Sequence, residues 1–156
     1  MWSIAGTLLV LLVHPARGQQ ARLAAVADLA RAADAIVLTT CDAGESRWTG
    51  EPPIIVTAHQ CRVERAFKGQ PEQVVTVQVL GGTVGTAGMA SSASVSLAAG
   101  ADTVLLLRRS QFGNYYVISG GAGGALPVVR RAQQRTVRGM SLDDFGRWVN
   151  VEAVPR

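Results

Sequence analysis

The sequence predicts a mainly β fold: a small OB-like antiparallel barrel of five to seven strands, with a short helix at each end. Three observations carry that expectation. β-Branched and apolar runs of strand length recur between residues 35 and 130, a composition that suits a pleated, half-buried surface. Short Gly-, Pro- and Asx-containing turns separate them, so chain neighbours pair mostly antiparallel. Helical spacing of apolar residues occurs only near the two ends, and a set of short strands removes its exposed edges by closing on itself.

Residues 1–18 read as a cleavable export signal. The apolar run Ile4 to Val13 is too short to span a bilayer, Pro15 breaks it, and Ala16-Arg17-Gly18 puts small residues at the −3 and −1 positions of a cleavage site. The n-region, Met1-Trp2-Ser3, has only the α-amino charge. The expected location is therefore periplasmic or secreted, with no membrane span in the mature chain. Residues 19–34 should form a helix packed on the barrel, since Leu23, Val26, Ala27, Leu29 and Ala30 fall at spacings of three and four before Asp34 interrupts the pattern.

The barrel is placed at residues 35–130. Ala35 to Cys41 is a strand by its β-branched run, and Asp42 to Pro53, with Gly44, Gly50 and two prolines, is a connecting loop. Ile54 to Phe67 is the longest strand, with Ile55, Thr57, His59, Cys61, Val63 and Arg65 on one face. At that length a bend or bulge is expected. After the Lys68–Pro71 turn, Val74 to Leu80 alternates apolar and polar residues. Gly81 to Ser94 is too rich in Gly, Ala and Ser to build a core, so it reads as a long loop, and function concentrates in such loops. Gly82, Gly85, Gly88 and Met89 are the candidate binding residues.

Ser94 to Leu97 is a possible short strand. Thr103 to Arg108 is apolar enough for a central strand, and Tyr115 to Ser119 follows a turn. Gly120 to Gly124 breaks the chain before Leu126 to Val129, an edge or last strand because Pro127 argues against a central position. Residues 131–156 are expected as a basic linker and a C-terminal helix, with Ser141 as N-cap, Asp144 three residues on, and Phe145 and Trp148 at helical spacing.

Charge and reactive residues narrow the chemistry. The formal net charge is +4, and removing the signal takes away Arg17. Lys68 is the only lysine, so the basic character is arginine's. Arg130, Arg131, Arg135 and Arg138 form the one cluster, and the last three would align if the stretch were helical. They are a candidate polyanion or envelope-surface site, or a solvated face. Cys41 and Cys61 suit one disulfide in an exported protein, with two buried free thiols as the rival reading.

His59 is the only histidine after residue 18, too few for a multi-His zinc centre, so no metal and no cofactor are expected. His59 and Cys61 are the one candidate for a minimal enzyme site, but residues two apart on a strand stand roughly 6–7 Å apart. That is beyond hydrogen-bond reach for a nucleophile–base pair. Neither glycine cluster ends in Gly-Lys-Ser/Thr or opens a helix, so neither is a phosphate loop. The favoured reading is a non-catalytic module that binds a protein or other macromolecule.

Three segments also carry a family likeness. Ala33-Asp34-Ala35-Ile36-Val37-Leu38, Cys61-Arg62-Val63-Glu64-Arg65-Ala66-Phe67-Lys68-Gly69 and Ala99-Gly100-Ala101-Asp102-Thr103-Val104-Leu105-Leu106-Leu107 resemble the netrin-like (NTR) module. That module includes the inhibitory domain of tissue inhibitors of metalloproteinases. The likeness spans roughly residues 33–108 and implies an OB-like five-stranded barrel with terminal helices. The chain also looks like exported bacterial proteins that carry the same pattern. Inhibitors of the family chelate zinc through an N-terminal cysteine. Here signal cleavage would leave Gln19, and the first cysteine is Cys41, so that mechanism is not carried over.

Overall fold

The computed structural model describes residues 25–91, 94–110 and 115–153. The expected export signal at residues 1–18 and the start of the expected 19–34 helix fall outside the described residues, as do residues 111–114. The described part of α1, residues 25–32, buries Val26, Ala27 and Ala30. Asp34 ends the pattern with a purpose: its carboxylate accepts the Arg109 backbone N–H at 2.7 Å.

The strands follow in chain order as β1 (Ala35–Cys41), β2 (Glu45–Thr49), β3 (Ile54–Lys68), β4 (Val74–Leu80), β5 (Gly82–Val84), β6 (Ala87–Met89), β7 (Asp102–Arg109), β8 (Tyr115–Ile118), β9 (Ala125–Arg131), β10 (Gln134–Val137) and β11 (Met140–Ser141). Helix α2 spans Leu142–Glu152. Five strands close the barrel in the order β1-β3-β4-β8-β7, and β7 pairs back onto β1. All these pairings are antiparallel except β4 with β8, which is parallel, so the barrel is mixed. The parallel contact follows from closure, since β8 must enter between β4 and β7 to seal the last gap.

The core has two layers, and β1 and β7 belong to both. Val37, Cys41, Leu105 and Leu107 face the interior with Cys61, Val75, Val77 and Tyr116. Ile36, Leu38, Val104 and Leu106 face outward, under Val26 and Ala30 of α1, Leu126 and Val137 of the β9–β10 hairpin, and Phe145 and Val149 of α2. A strand covered on both faces has no polar side, which is why β1 and β7 read as continuous apolar runs. β3 and β4 are covered on one face only and alternate.

Several expectations change. Residues 42–53 are not all loop, because Glu45–Thr49 pairs antiparallel with the first part of β3. Its burial is mostly exposed, so no hydrophobic alternation announces it. The Gly81–Ser94 segment contains the β5–β6 hairpin, and residues 94–97 form no strand. β9 is not an edge strand. Residues 125–127 pair with β7 and residues 128–131 pair with β10. Pro127 therefore sits where only one side of the strand is paired, a setting that a residue without an N–H tolerates. Residues 131–141 are not a linker but the turn and strands of the β9–β10–β11 unit. The bend expected of the long strand appears as two register shifts against β1, at Ile36/Val37 and Leu38/Thr39. Beyond them Phe67 joins the outer layer, with the Arg65 guanidinium over its ring, while Cys61 faces the barrel interior.

The end helix forms as its sequence dictates. The Ser141 hydroxyl accepts the Asp144 N–H at 3.1 Å and donates to its carboxylate at 2.6 Å. Phe145 is fully buried, edge-on to Phe67 with ring centroids 5.2 Å apart.

Candidate functional site

Cys41 and Cys61 are directly opposite in the β1–β3 ladder, Cα atoms 4.0 Å apart, and they are joined as a disulfide. The rival reading of free thiols is thereby corrected. The Cys61 sulfur is bonded within the barrel, so a Cys–His nucleophile pair with His59 is not available in this state.

His59 is two residues along the same interior face, and only 5% of it is exposed. There β3 leaves the closed part of the barrel and opens into a cavity of about 470 Å³. The walls come from Ala43, Ser46, Thr57 and His59 on one side and from residues 79–83, 89–90 and 94–97 on the other. Among the described residues lining it, none is an acid, lysine or arginine, and His59 is the only titratable side chain.

The geometry of His59 fixes its proton. Its Nδ1 lies 3.0 Å from the Asp42 backbone oxygen, which can only accept, so Nδ1 carries the hydrogen. In the neutral ring Nε2 is then an acceptor. The Asp42 carboxylate is 3.8 Å from Nδ1, but it is engaged with the N–H groups of Gly44 and Gln60 at 2.9 and 3.0 Å. Gly44, at φ +73°, packs its backbone over the ring, where a Cβ would stand 2.7 Å from Cε1 and Nδ1. The turn therefore clamps the Nδ1 edge and leaves Nε2 on the cavity side, without a partner among the described residues.

A hydroxyl relay pins the opposite wall. The Thr83 N–H reaches the Ser46 hydroxyl at 3.4 Å, Ser46 meets the Thr57 hydroxyl at 2.8 Å, and Thr57 donates to the Gly81 carbonyl at 2.7 Å. Because Thr57 spends its proton on Gly81, the Ser46 proton goes to Thr57. Ser94 donates to the Leu80 carbonyl at 2.6 Å. Gly82 takes φ +134° and faces Ser46 and Thr57 with no room for a side chain.

Of the sequence candidates, the fold brings Gly82 and Met89 together as a cross-strand pair on the cavity. Gly85 forms the hairpin tip and Gly88 lies in β6, and neither lines the cavity. His59 joins the same site, although the sequence treated it as part of a separate candidate. Ser46 and Thr57 were missed as site residues. Thr57 had a signal in its shared face with His59, whereas Ser46 lay on a strand that read as loop.

The arginine cluster is elsewhere and is not helical. Arg130 and Arg135 face each other across β9 and β10. Arg130 pairs with Asp102 at 3.0 Å, while Arg135 bridges Asp102 at 3.4 Å and Glu64. The hydrogen bond from Arg135 holds the Glu64 carboxyl below its usual value. Burial raises Asp102, but hydrogen bonds from Arg130 and Arg135 together outweigh it and leave the group lowered. Arg131 and Arg138 are in no ion pair among the described residues. Two of the four candidates are thus tied to acids rather than free for a polyanion.

Comparison of the chain with protein-family models, curated proteins and solved structures found no match.

Proposed function

We propose that the chain is an exported, non-catalytic binding module that recognises a protein partner at the cavity between β3 and residues 79–97. The observation that carries this reading is the composition of that cavity. It is concave, uncharged and mixed, with a buried imidazole and the hydroxyls of Ser46, Thr57, Thr83, Ser94 and Ser96 set among Val79, Leu80, Met89, Val95 and Leu97. Binding sites are concave and mostly apolar with a few fixed polar groups, and fall at roughly 300–1,000 Å³. The catalytic alternative is disfavoured because nucleophilic catalysis needs an activated nucleophile beside its base. Here the cysteine is oxidised, and the Ser46, Thr57 and Ser94 hydroxyls have their protons committed to protein acceptors. Export rests on the pattern of residues 1–18. The netrin-like likeness enters only as a likeness of sequence pattern, with no inhibitory role attached.

The test is capture from an exported fraction on the immobilised mature domain, with Gly82→Val and Val151→Asp as controls. Among the described residues Val151 is the most exposed large apolar side chain, and it lies on α2, outside the cavity lining. The reading expects a partner retained by the parent and Val151→Asp proteins and lost with Gly82→Val. A partner retained by Gly82→Val and lost with Val151→Asp would overturn it.

A further inference from the structure

We infer that the cavity receives an aromatic side chain carrying a hydrogen-bond donor at its tip, a tyrosine of the partner, and that His59 Nε2 accepts from that donor. This rests on the cavity being the binding site and adds the chemistry of what enters it. Three observations converge. The imidazole is 95% buried, its Nδ1–H is committed to the Asp42 carbonyl, and its Nε2 lone pair faces the cavity unpartnered among the described residues. A buried acceptor left without a donor is costly, so an occupant that excludes water must bring a donor.

Among the described residues no lining hydroxyl donates to it: Ser46, Thr57 and Ser94 donate to Thr57, Gly81 and Leu80, and Thr83 and Ser96 make no hydrogen bond to the ring. The donor must also be uncharged. Among the described residues no acid lines the cavity, the Asp42 carboxylate lies outside its lining beside the Nδ1 edge of the ring, and an unpaired ammonium or guanidinium would lose its hydration without compensation.

The apolar part of the lining is aliphatic, from Val79, Leu80, Met89, Val95 and Leu97. A small polar side chain would leave that surface uncovered, whereas a phenol has an apolar body and a polar tip. Tyrosine is also among the residues that anchor protein interfaces from buried pockets. Phenylalanine fills the same space but leaves Nε2 unsatisfied, so the site discriminates on one hydroxyl.

The experiment is an NMR titration of the isotope-labelled mature protein with N-acetyl-L-tyrosinamide and N-acetyl-L-phenylalaninamide. The readouts are the backbone amides of residues 79–97 and the two ring nitrogens of His59. The inference expects tyrosinamide to bind about tenfold tighter than phenylalaninamide, from one hydrogen bond to an otherwise unsatisfied buried group. It also expects the His59 Nε2 resonance to move with the first probe and not with the second. His59→Phe should abolish the preference, and the Nε2 resonance of the parent protein answers the same question if that variant does not fold. Equal affinities with shifts at residues 79–97 would overturn the inference and leave the cavity as binding site. Tyrosinamide shifts confined to other parts of the protein would overturn both.

Discussion

At the scale of single residues, the site depends on a few positions that the backbone, rather than a side-chain motif, puts in place. Gly44 is the clearest. Its left-handed φ and its 2.7 Å approach to the His59 ring leave no space for a methyl group. Gly44→Ala should cost about 1–3 kcal/mol through backbone strain and displace the imidazole. Chemical denaturation and the His59 ring resonances would register both effects. The disulfide is the other such position. Cys41→Ser with Cys61→Ser opens a loop of 20 residues and should cost about 3 kcal/mol in the chain-entropy model. An unchanged denaturation midpoint would contradict that.

The cysteine pair was legible in the sequence because an even count, with the export expected from residues 1–18, points to pairing. His59 was legible as a residue but not as part of the glycine-loop site. Their convergence depends on where β3 leaves the closed barrel, and residue spacing along one strand says nothing of a segment that folds over it.

At the scale of elements, the helices and the sandwiched strands were readable and the short surface strands were not. β1 and β7 announce themselves because both faces are buried. α2 announces itself through the Ser141 cap and the Phe145/Trp148 spacing. β2 and the β9–β10–β11 unit carry charged and polar residues on exposed faces, so their pairing leaves no periodic trace. A run of arginines read as a linker for that reason.

The importance of α2 can be measured. Phe145 is wholly enclosed among the outer-layer residues and Phe67, so Phe145→Ala should cost about 3–5 kcal/mol. Ser141→Ala should cost about 1 kcal/mol by loss of the N-cap. Urea titrations of the two variants should keep that order, and a reversed order would show that α2 is held by its cap rather than by its packing.

At the scale of the whole molecule, the closed barrel carries its covering layer and its cavity on different sets of elements. The outer faces of β1 and β7 are roofed by both helices and the β9–β10 hairpin, and the ion network of Glu64, Asp102, Arg130 and Arg135 ties that hairpin to β3 and β7. The uncharged cavity is walled instead by β2, β3 and residues 79–97.

The network makes acid stability predictable in sign. Glu64 and Asp102 are both lowered in the folded protein. Their contribution is therefore present above the ordinary carboxylate values and is lost as pH falls through about 4 towards the folded values. Arg135→Met removes the shared partner. The difference in urea midpoint between pH 7 and pH 3 should shrink in that variant, and a difference equal to the parent's would place the acid sensitivity elsewhere. The barrel class was legible from the count and spacing of apolar runs. The parallel β4–β8 contact was not, since it is a property of closure and of no local segment.

The most direct test of the proposed binding site is a hydrogen-exchange footprint of the mature protein with a captured partner. The account predicts slowed exchange in residues 79–91 and 94–97 and in the 43–59 segment that faces them, with the β9–β10 hairpin unchanged. Protection centred on residues 125–141, with the cavity walls exchanging as in the free protein, would contradict it.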